Sequence, residues 1–256
     1  MTNLNASVKS RGVVLFAFNT DTVDYEIISE RAKRLIIHTL NLPVTIITEM
    51  TGTQTNTRLG YAHGMQWFNG DRYRAYELSP YDETLLLDSD YLVLDNALLK
   101  ILETTADYNI VSNNQNFHQT MTGNMGEMSL NYVWATAVAF KKTPRSKMLF
   151  DLVGRVQHNY GYYCKLYNIR RGNFRNDYAF AIADNIINGY APSPGIPWTM
   201  LTVDKTVKSL EIKNNKIIVR EDDVAHVISQ QSIHVMDKVY LQSDNYNQFI
   251  EQVCKN

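Results

Sequence analysis

Two aspartates two positions apart have the clearest chemical potential in this sequence. Asp88 and Asp90 follow the apolar run Leu85–Leu87, and a second apolar run, Tyr91–Leu94, comes directly after them. In extended backbone, residues i and i+2 point to the same side, so both carboxylates face one spot. Because two like charges repel there, the pair predicts a bound cation, and carboxylate ligands favour Mg²⁺ or Mn²⁺. The alternative interpretation is an acidic turn between two short strands.

The beginning of the chain predicts the sheet that would carry this pair. Val13–Phe18 is a short apolar run typical of a buried strand, Asp24–Leu40 has apolar residues at helical spacing, and Val44–Glu49 is a second strand candidate. A strand, a helix and a strand in this order predict a βαβ unit and a parallel sheet. Ligands of open α/β sheets bind outside the carboxyl ends of the strands, which is where Asp88 and Asp90 lie.

The rest of the chain predicts further strands and helices, and residues 1–256 are expected to form one mixed α/β domain. Helices are expected at 98–103, from Thr143-Pro144 through Val156, at 177–187 and at 246–253, and strands at 84–88, 91–94, 108–111, 134–140 and 232–236. The runs 208–213 and 216–220 flank Asn214-Asn215, a pair typical of a hairpin turn. Residues 112–128, rich in Asn, Gln, Met and Gly, are expected to form a long functional loop.

Composition excludes several classes of protein. The chain has 25 Lys and Arg against 26 Asp and Glu, a net charge of −1, which excludes a strongly basic nucleic-acid wrapper and an acidic tail. Its hydrophobic content of 45% is enough for a substantial core. The sequence has no apolar segment of the ~20 residues that span a bilayer and no signal-peptide pattern, and its only cysteines are Cys164 and Cys254. We therefore expect a cytoplasmic protein with reduced thiols.

The stretch around the two aspartates resembles the D-x-D segment of nucleotide-sugar glycosyltransferases of the GT-A fold. Ser79–Val93, with the sequence S-P-Y-D-E-T-L-L-L-D-S-D-Y-L-V, is most similar to family 8-like (glycogenin-like) enzymes and to glycosyltransferases encoded by bacteriophages. Three other segments fit in the same order: the first strand leading into Asn19-Thr20-Asp21, the run 134–144, and 232–238 with a late His and Lys. The family has a Gly between this His and Lys, where the chain has Val235-Met236-Asp237, and a Pro-Trp after the Lys, which the chain lacks.

This resemblance implies a single GT-A (Rossmann-like) domain with a mixed, mostly parallel central sheet flanked by helices. Its nucleotide-binding half would cover about 11–110, and its acceptor and closing half about 111–256. The donor would be a nucleotide-diphosphate sugar, expected to be a UDP-sugar, with Mn²⁺ or Mg²⁺ as cofactor. The acceptor would provide a hydroxyl. The candidate acceptors are glycans, proteins and, because some relatives are phage enzymes, a hydroxymethylated DNA base. A phage-encoded enzyme would act in the host cytoplasm.

The resemblance also implies roles for individual residues. Asp90 and His234 would hold the metal, because a divalent cation eases the departure of a nucleoside diphosphate. Asp88 would bridge the metal and the ribose, and Lys238, a compact point charge, would contact phosphate. The other donor-binding candidates are Phe18, Asn19, Thr20 and Asp21, at the end of the first strand, and Arg74. His226, in a similar strand setting, is the alternative to His234.

The helix predicted at 177–187 begins at Asp177, whose carboxylate the resemblance places opposite the metal. There it would orient the acceptor hydroxyl or act as a base, whereas the alternative is that Asn176 or Asp177 only caps the helix. Amide and indole side chains that suit a sugar or acceptor pocket, or equally loop and core positions, are Asn113, Asn114, Gln115 and Trp134. The cations Arg170, Arg171 and Arg175 suit an anionic acceptor or a solvated face.

Two other functions compete with this interpretation. A sugar-phosphate nucleotidylyltransferase would share the fold class, but it would need a Gly-rich loop after the first strand, and Asn19–Thr22 contains no glycine. A non-catalytic accessory protein would bind nucleic acid through Arg170–Arg175 and the interleaved tyrosines Tyr162, Tyr163 and Tyr167, although a net charge of −1 disfavours it. The sequence contains no dinucleotide-binding, P-loop or G-x-S-x-G motif.

Overall fold

The computed structural model describes residues 9–49, 70–117, 124–125, 130–169, 174–191, 193, 195–204, 206–221 and 224–255. The strands are β1 (Arg11–Phe16), β2 (Val44–Ile47), β3 (Glu83–Leu87), β4 (Tyr91–Leu92), β5 (Tyr108–Val111), β6 (Asn114–Asn116), β7 (Asn124–Met125), β8 (Leu130–Asn131), β9 (Trp134–Lys141), β10 (Gly195–Ile196), β11 (Met200–Val203), β12 (Val207–Lys213), β13 (Lys216–Glu221), β14 (Val224–Ser229) and β15 (Ile233–Val235). The helices are α1 (Tyr25–Leu40), α2 (Ala75–Leu78), α3 (Ala97–Leu102), α4 (Pro144–His158), α5 (Tyr160–Leu166), α6 (Asn176–Ile187), α7 (Lys238–Gln242) and α8 (Asp244–Lys255).

Six strands form the central sheet in the order β10-β5-β9-β3-β1-β2. Strand β9 runs antiparallel to both of its neighbours, and the other pairs in this sheet are parallel. The predicted fold class, a mixed and mostly parallel sheet flanked by helices, is confirmed. Among the described residues, no helix has both the length and the apolar character that crossing a bilayer requires.

Successive apolar side chains of the central strands pack against helices on opposite faces of this sheet. Val14 and Leu86 pack with apolar residues of α4 and α6 on one face. Val13 and Leu85, one position earlier, pack with residues of α1 and α3 on the other face. Successive side chains of a strand point to opposite faces, so fully apolar runs are what a sheet covered on both sides requires.

Local signals in the sequence explain where the elements begin and end. Asp24 caps α1 by accepting a hydrogen bond from the Ile27 amide at 3.0 Å, and Thr143 caps α4, which has a proline in its first turn. The hairpin between β12 and β13 turns at Asn214 and Asn215, whose φ angles are 52° and 56°, in the left-handed region that asparagine tolerates.

A second sheet, of four short strands in the order β4-β15-β11-β6, was not expected from the sequence. Strand β6 lies inside the segment 112–128 that the composition predicts to be a long loop, of which 118–123 and 126–128 lie outside the described residues. The sequence predicts strands at the positions of β4 and β15, whereas β6 and β11, of three and four residues, have too few positions for an alternation pattern, so only their pairing defines them. This sheet carries one part of the candidate site, and the end of β3 carries another.

Candidate active site

The structure brings together the three residues that the sequence suggested as metal ligands. Asp88 directly follows β3, Asp90 directly precedes β4, and His234 is the middle residue of β15. Strand β15 pairs antiparallel with β4, with His234 opposite Tyr91, which places the imidazole beside Asp90. One ligand atom from each of the three side chains lies within 4.8 Å of the others, and His234 Nε2 is 3.3 Å from Asp90 Oδ2.

Positively charged side chains of the protein itself contact the two carboxylates. From the sequence, only a bound metal ion was expected as the charge that offsets their repulsion. Lys238, the first residue of α7, donates to Asp90 Oδ2, and Arg72 donates to Asp88 Oδ1. Burial alone would raise the pKa of Asp90, but His234 and Lys238 lower it below its ordinary value. Burial raises the pKa of Asp88, because the opposing effect of Arg72 is smaller.

Arg72, which the sequence did not single out, contacts Asp88, whereas Arg74, the arginine expected to contact the donor diphosphate, does not line the cavity beside the aspartates. The Arg72 side chain is 2% exposed and also donates to the backbone carbonyl of Ala135. Arg74 contacts Glu77 at 3.3 Å and Asp71 at 3.9 Å instead. Two arginines two positions apart are equivalent in a polar segment, so nothing in the sequence distinguished them.

We expect Arg72→Met to lower the free energy of unfolding by about 3 kcal/mol or more, because it leaves the Asp88 carboxylate without its cationic partner. Arg74→Met is the matched control, since Arg74 pairs with a Glu77 side chain that is 70% exposed, and it should cost less than about 1 kcal/mol. Urea denaturation of both variants measures the difference. Equal losses would mean that the buried pair does not stabilise the site.

The donor set fits a divalent cation. Asp90 Oδ1 is buried and has no hydrogen-bond partner among the described residues, so it offers a free ligand oxygen. Two carboxylates and one imidazole suit a transition metal such as Mn²⁺ better than Mg²⁺, which prefers oxygen ligands throughout.

A cavity of about 220 Å³ opens beside the cluster. Asp177, in the first turn of α6, lines its wall together with Trp134 and Lys238. Asp177 does not make the hydrogen bond of a helix cap: its Oδ1 accepts from the Ala135 amide at 2.9 Å, and its Oδ2 accepts from Arg175 Nη2 at 2.9 Å. Both oxygens of this carboxylate are therefore held in place at the cavity wall.

An irregularity in β9 supplies the backbone groups that hold these side chains. On the β5 side, Ile110 pairs with Val138 while the next residue, Val111, pairs with Trp134, so the register shifts between the two pairs. Ala135 lies within this shift, and it donates its amide to Asp177 and accepts from Arg72 through its carbonyl. Interruptions of a ladder often re-aim groups toward active sites, and here the backbone of one residue bonds both Asp177 and Arg72, the partner of Asp88.

The predicted nucleotide loop after β1 does not line this cavity. Phe18 packs edge-to-face on Phe16 at 5.8 Å, Asn19 bonds with Glu26, Thr20 accepts from the Val23 amide, and Asp21 is exposed. Phe16 and Tyr25, on either side of the loop, line the cavity instead. Burial raises the pKa of Tyr25, and the charges of Lys238, Asp90 and Asp88 also act on it. Sequence reasoning missed Tyr25, although its place at the helix start after the first strand is a signal.

The other polar candidates have different positions. Trp134 lines the cavity, whereas Asn113 and Gln115 are exposed and do not line it. Asn114 is fully buried and accepts a hydrogen bond from Thr202. His226, the alternative to His234, stacks on Phe117 at 4.2 Å in the separate sheet β12-β13-β14, away from the two aspartates.

The three tyrosines that a nucleic-acid-binding protein would use, Tyr162, Tyr163 and Tyr167, do not form an exposed aromatic surface. Tyr163 and Tyr167 belong to the core cluster, and of the three tyrosines only Tyr162 is exposed. Arg175 pairs with Asp177, and Arg170 and Arg171 lie outside the described residues.

Comparison with known proteins finds partial similarity to glycosyltransferase structures. No family model matches the sequence, and no curated protein matches it. Two crystal structures of the glycosyltransferase GlyE from Streptococcus pneumoniae TIGR4 align at 14% and 15% identity, with TM-scores of 0.36 and 0.35, over 70% and 72% of this chain and 43% and 52% of theirs. The apo structure of the bifunctional glycosyltransferase WbbM aligns at 16% identity with a TM-score of 0.35, over 75% of this chain and 48% of its own. The chain thus spans about half the length of these proteins. Any functional conclusion has to rest on the site.

Proposed function

We propose that this protein is a metal-dependent glycosyltransferase that moves a sugar from a nucleotide-diphosphate sugar, expected to be a UDP-sugar, to an acceptor hydroxyl. The observation that carries the proposal is a single cavity lined both by the Asp88–Asp90–His234 cluster and by a fixed carboxylate, Asp177. Mn²⁺ held by these three side chains would neutralise the departing diphosphate.

In this proposal Lys238 has two partners at different stages. Without a metal, its ammonium neutralises Asp90. With a cation bound at Asp90, the lysine ammonium, whose side chain is 22% exposed, would be available to contact the phosphate. In the absence of metal and donor, Lys238 would thus offset the cost of burying the charged Asp90 carboxylate.

Asp177 would act on the sugar or on the acceptor. Its hydrogen bonds from the Ala135 amide and from Arg175 hold the carboxylate in one orientation. A fixed negative charge stabilises positive charge that develops at the sugar, and it also orients an acceptor hydroxyl. The apolar face of Trp134, on the same wall, suits a sugar ring.

The experiment is a calorimetric titration of UDP in the presence of Mn²⁺ and after chelation. We expect affinity to fall at least about tenfold on chelation, because diphosphate then meets Asp88 and Asp90 without a metal between them. His234→Ala should weaken UDP binding, whereas His226→Ala, a histidine outside the cluster, should not. Equal UDP affinity with and without metal would refute the proposal.

The acceptor class stays a prediction. A panel with a glycan, a peptide and DNA that carries a hydroxymethylated pyrimidine, each tested with the preferred donor, distinguishes the acceptors that the sequence resemblance suggests.

A further inference from the structure

The metal cluster is backed by a row of polar side chains in the four-stranded sheet. Thr202 of β11 pairs in register with His234 of β15, while Asn114 of β6 pairs with Met200, two residues before Thr202. Side chains two residues apart share a face of a sheet, so these groups line up across three strands. Thr202 Oγ1 is 2.7 Å from Asn114 Oδ1 and 3.3 Å from His234 Nδ1, and His234 Nε2 faces Asp90.

One arrangement of protons in this row leaves the imidazole ready for a metal. A hydroxyl carries a single proton, so when Thr202 donates it to Asn114 Oδ1, its oxygen accepts the Nδ1–H of His234. The neutral ring then has a free lone pair on Nε2. Thr202 and Asn114 are 0% exposed and His234 is 7% exposed, so water has little access to replace a missing partner.

We propose that Thr202 and Asn114 are positioning residues that hold His234 in its Nδ1–H tautomer and thereby present Nε2 to a divalent cation. The inference rests on the proposed metal-dependent function and adds the residues that contact a metal ligand rather than the metal itself. It also gives Asn114 a role at the metal, in place of the sugar contact that its amide suggested in the sequence. Partners of this kind typically change metal affinity by about 10–100-fold.

The test is the calorimetric affinity for Mn²⁺ alone, without nucleotide. Thr202→Val keeps the shape of the side chain but leaves Nδ1–H without an acceptor, so Mn²⁺ binding should weaken by about 10–100-fold. Thr202→Ser keeps the hydroxyl and should restore binding. Thr84→Val is the matched control: Thr84 is equally buried and bonds Ser79 Oγ at 2.7 Å, but it lies near the far end of β3 from Asp88. It should leave Mn²⁺ affinity unchanged.

A spectroscopic readout separates tautomer control from general packing. Nitrogen-15 NMR of histidine-labelled protein loaded with Zn²⁺, a diamagnetic ion that accepts imidazole and carboxylate ligands, should show His234 protonated on Nδ1, with the signal assigned by its loss in His234→Ala. Asn114→Leu frees the Thr202 hydroxyl to donate to Nδ1 and should shift the ring proton to Nε2. An Nε2–H tautomer in the metal-loaded wild type, or full Mn²⁺ affinity in Thr202→Val, would overturn this inference alone. A wild type that binds no Mn²⁺ would overturn the metal site itself.

Discussion

Replacing Asp90 by asparagine is expected to lower turnover about 10³-fold or more and to abolish measurable Mn²⁺ binding. The loss corresponds to about 4 kcal/mol of transition-state stabilisation, the order found when a key electrostatic group is removed. Asp90 contributes a buried oxygen that has no hydrogen-bond partner within the described part of the chain, and it also contacts His234 and Lys238, so its charge organises the whole cluster. Initial rates of donor hydrolysis and a Mn²⁺ titration measure the two effects.

A matched control for this variant lies five residues further on. Asp95 follows β4 and holds Ser232, just before β15, through contacts of 3.1 Å to its amide and its hydroxyl. Asp95→Asn therefore perturbs the same pair of strands without touching the cluster. We expect it to lose some thermal stability and keep its Mn²⁺ affinity. If Asp90→Asn remains active, Asp88 and Asp90 form only an acidic turn.

Replacing Asp177 by asparagine is expected to cut sugar transfer by about 10²-fold while UDP–Mn²⁺ binding survives. The neutral amide would no longer stabilise positive charge at the sugar or orient the acceptor, whereas the residues proposed for metal and phosphate, Asp88, Asp90, His234 and Lys238, belong to other parts of the fold. Asparagine has only one acceptor oxygen, whereas the carboxylate bonds with the Ala135 N–H, Arg175 and Tyr132, so we also expect a stability loss of about 1 kcal/mol.

Asp184→Asn is the matched control that separates the stability loss of Asp177→Asn from an effect on the chemical step. Asp184 lies on the same helix, is buried, and accepts from Ser193 at 2.7 Å and from Asn188 at 2.9 Å, away from the cavity. The same substitution there should cost comparable stability and leave the rate unchanged. A near-wild-type rate in Asp177→Asn, measured with the true acceptor, would leave this carboxylate with a purely structural role.

Several features of the fold could be predicted because their causes are local. The apolar runs of β1 and β3, the caps of α1 and α4 and the Asn214-Asn215 turn depend on residues within a few positions of each other. The place of Asp88 and Asp90 at the carboxyl end of β3 could be predicted as well. The extended backbone expected between them is wrong, because both lie outside β3 and the Tyr91 amide donates to the Asp88 carbonyl at 3.1 Å, which closes a turn.

The choice among equivalent residues required the tertiary structure. Nothing in the sequence pairs an arginine with Asp88, and only the folded contact assigns Arg72 to it while Arg74 pairs with Glu77. His234 and His226 both follow strand patterns, and the pairing of β15 with β4 decides between them.

The sequence by itself determined the chemistry available at the end of β3: a pair of carboxylates able to face one cation. Only the tertiary structure decided what meets that pair, because His234 lies 144 residues from Asp90 and the backbone of Ala135 carries no side-chain signal at all. Contacts of this kind depend on strand pairing and on an irregular register in β9. Those features depend on packing of the whole chain, so local propensities do not record them.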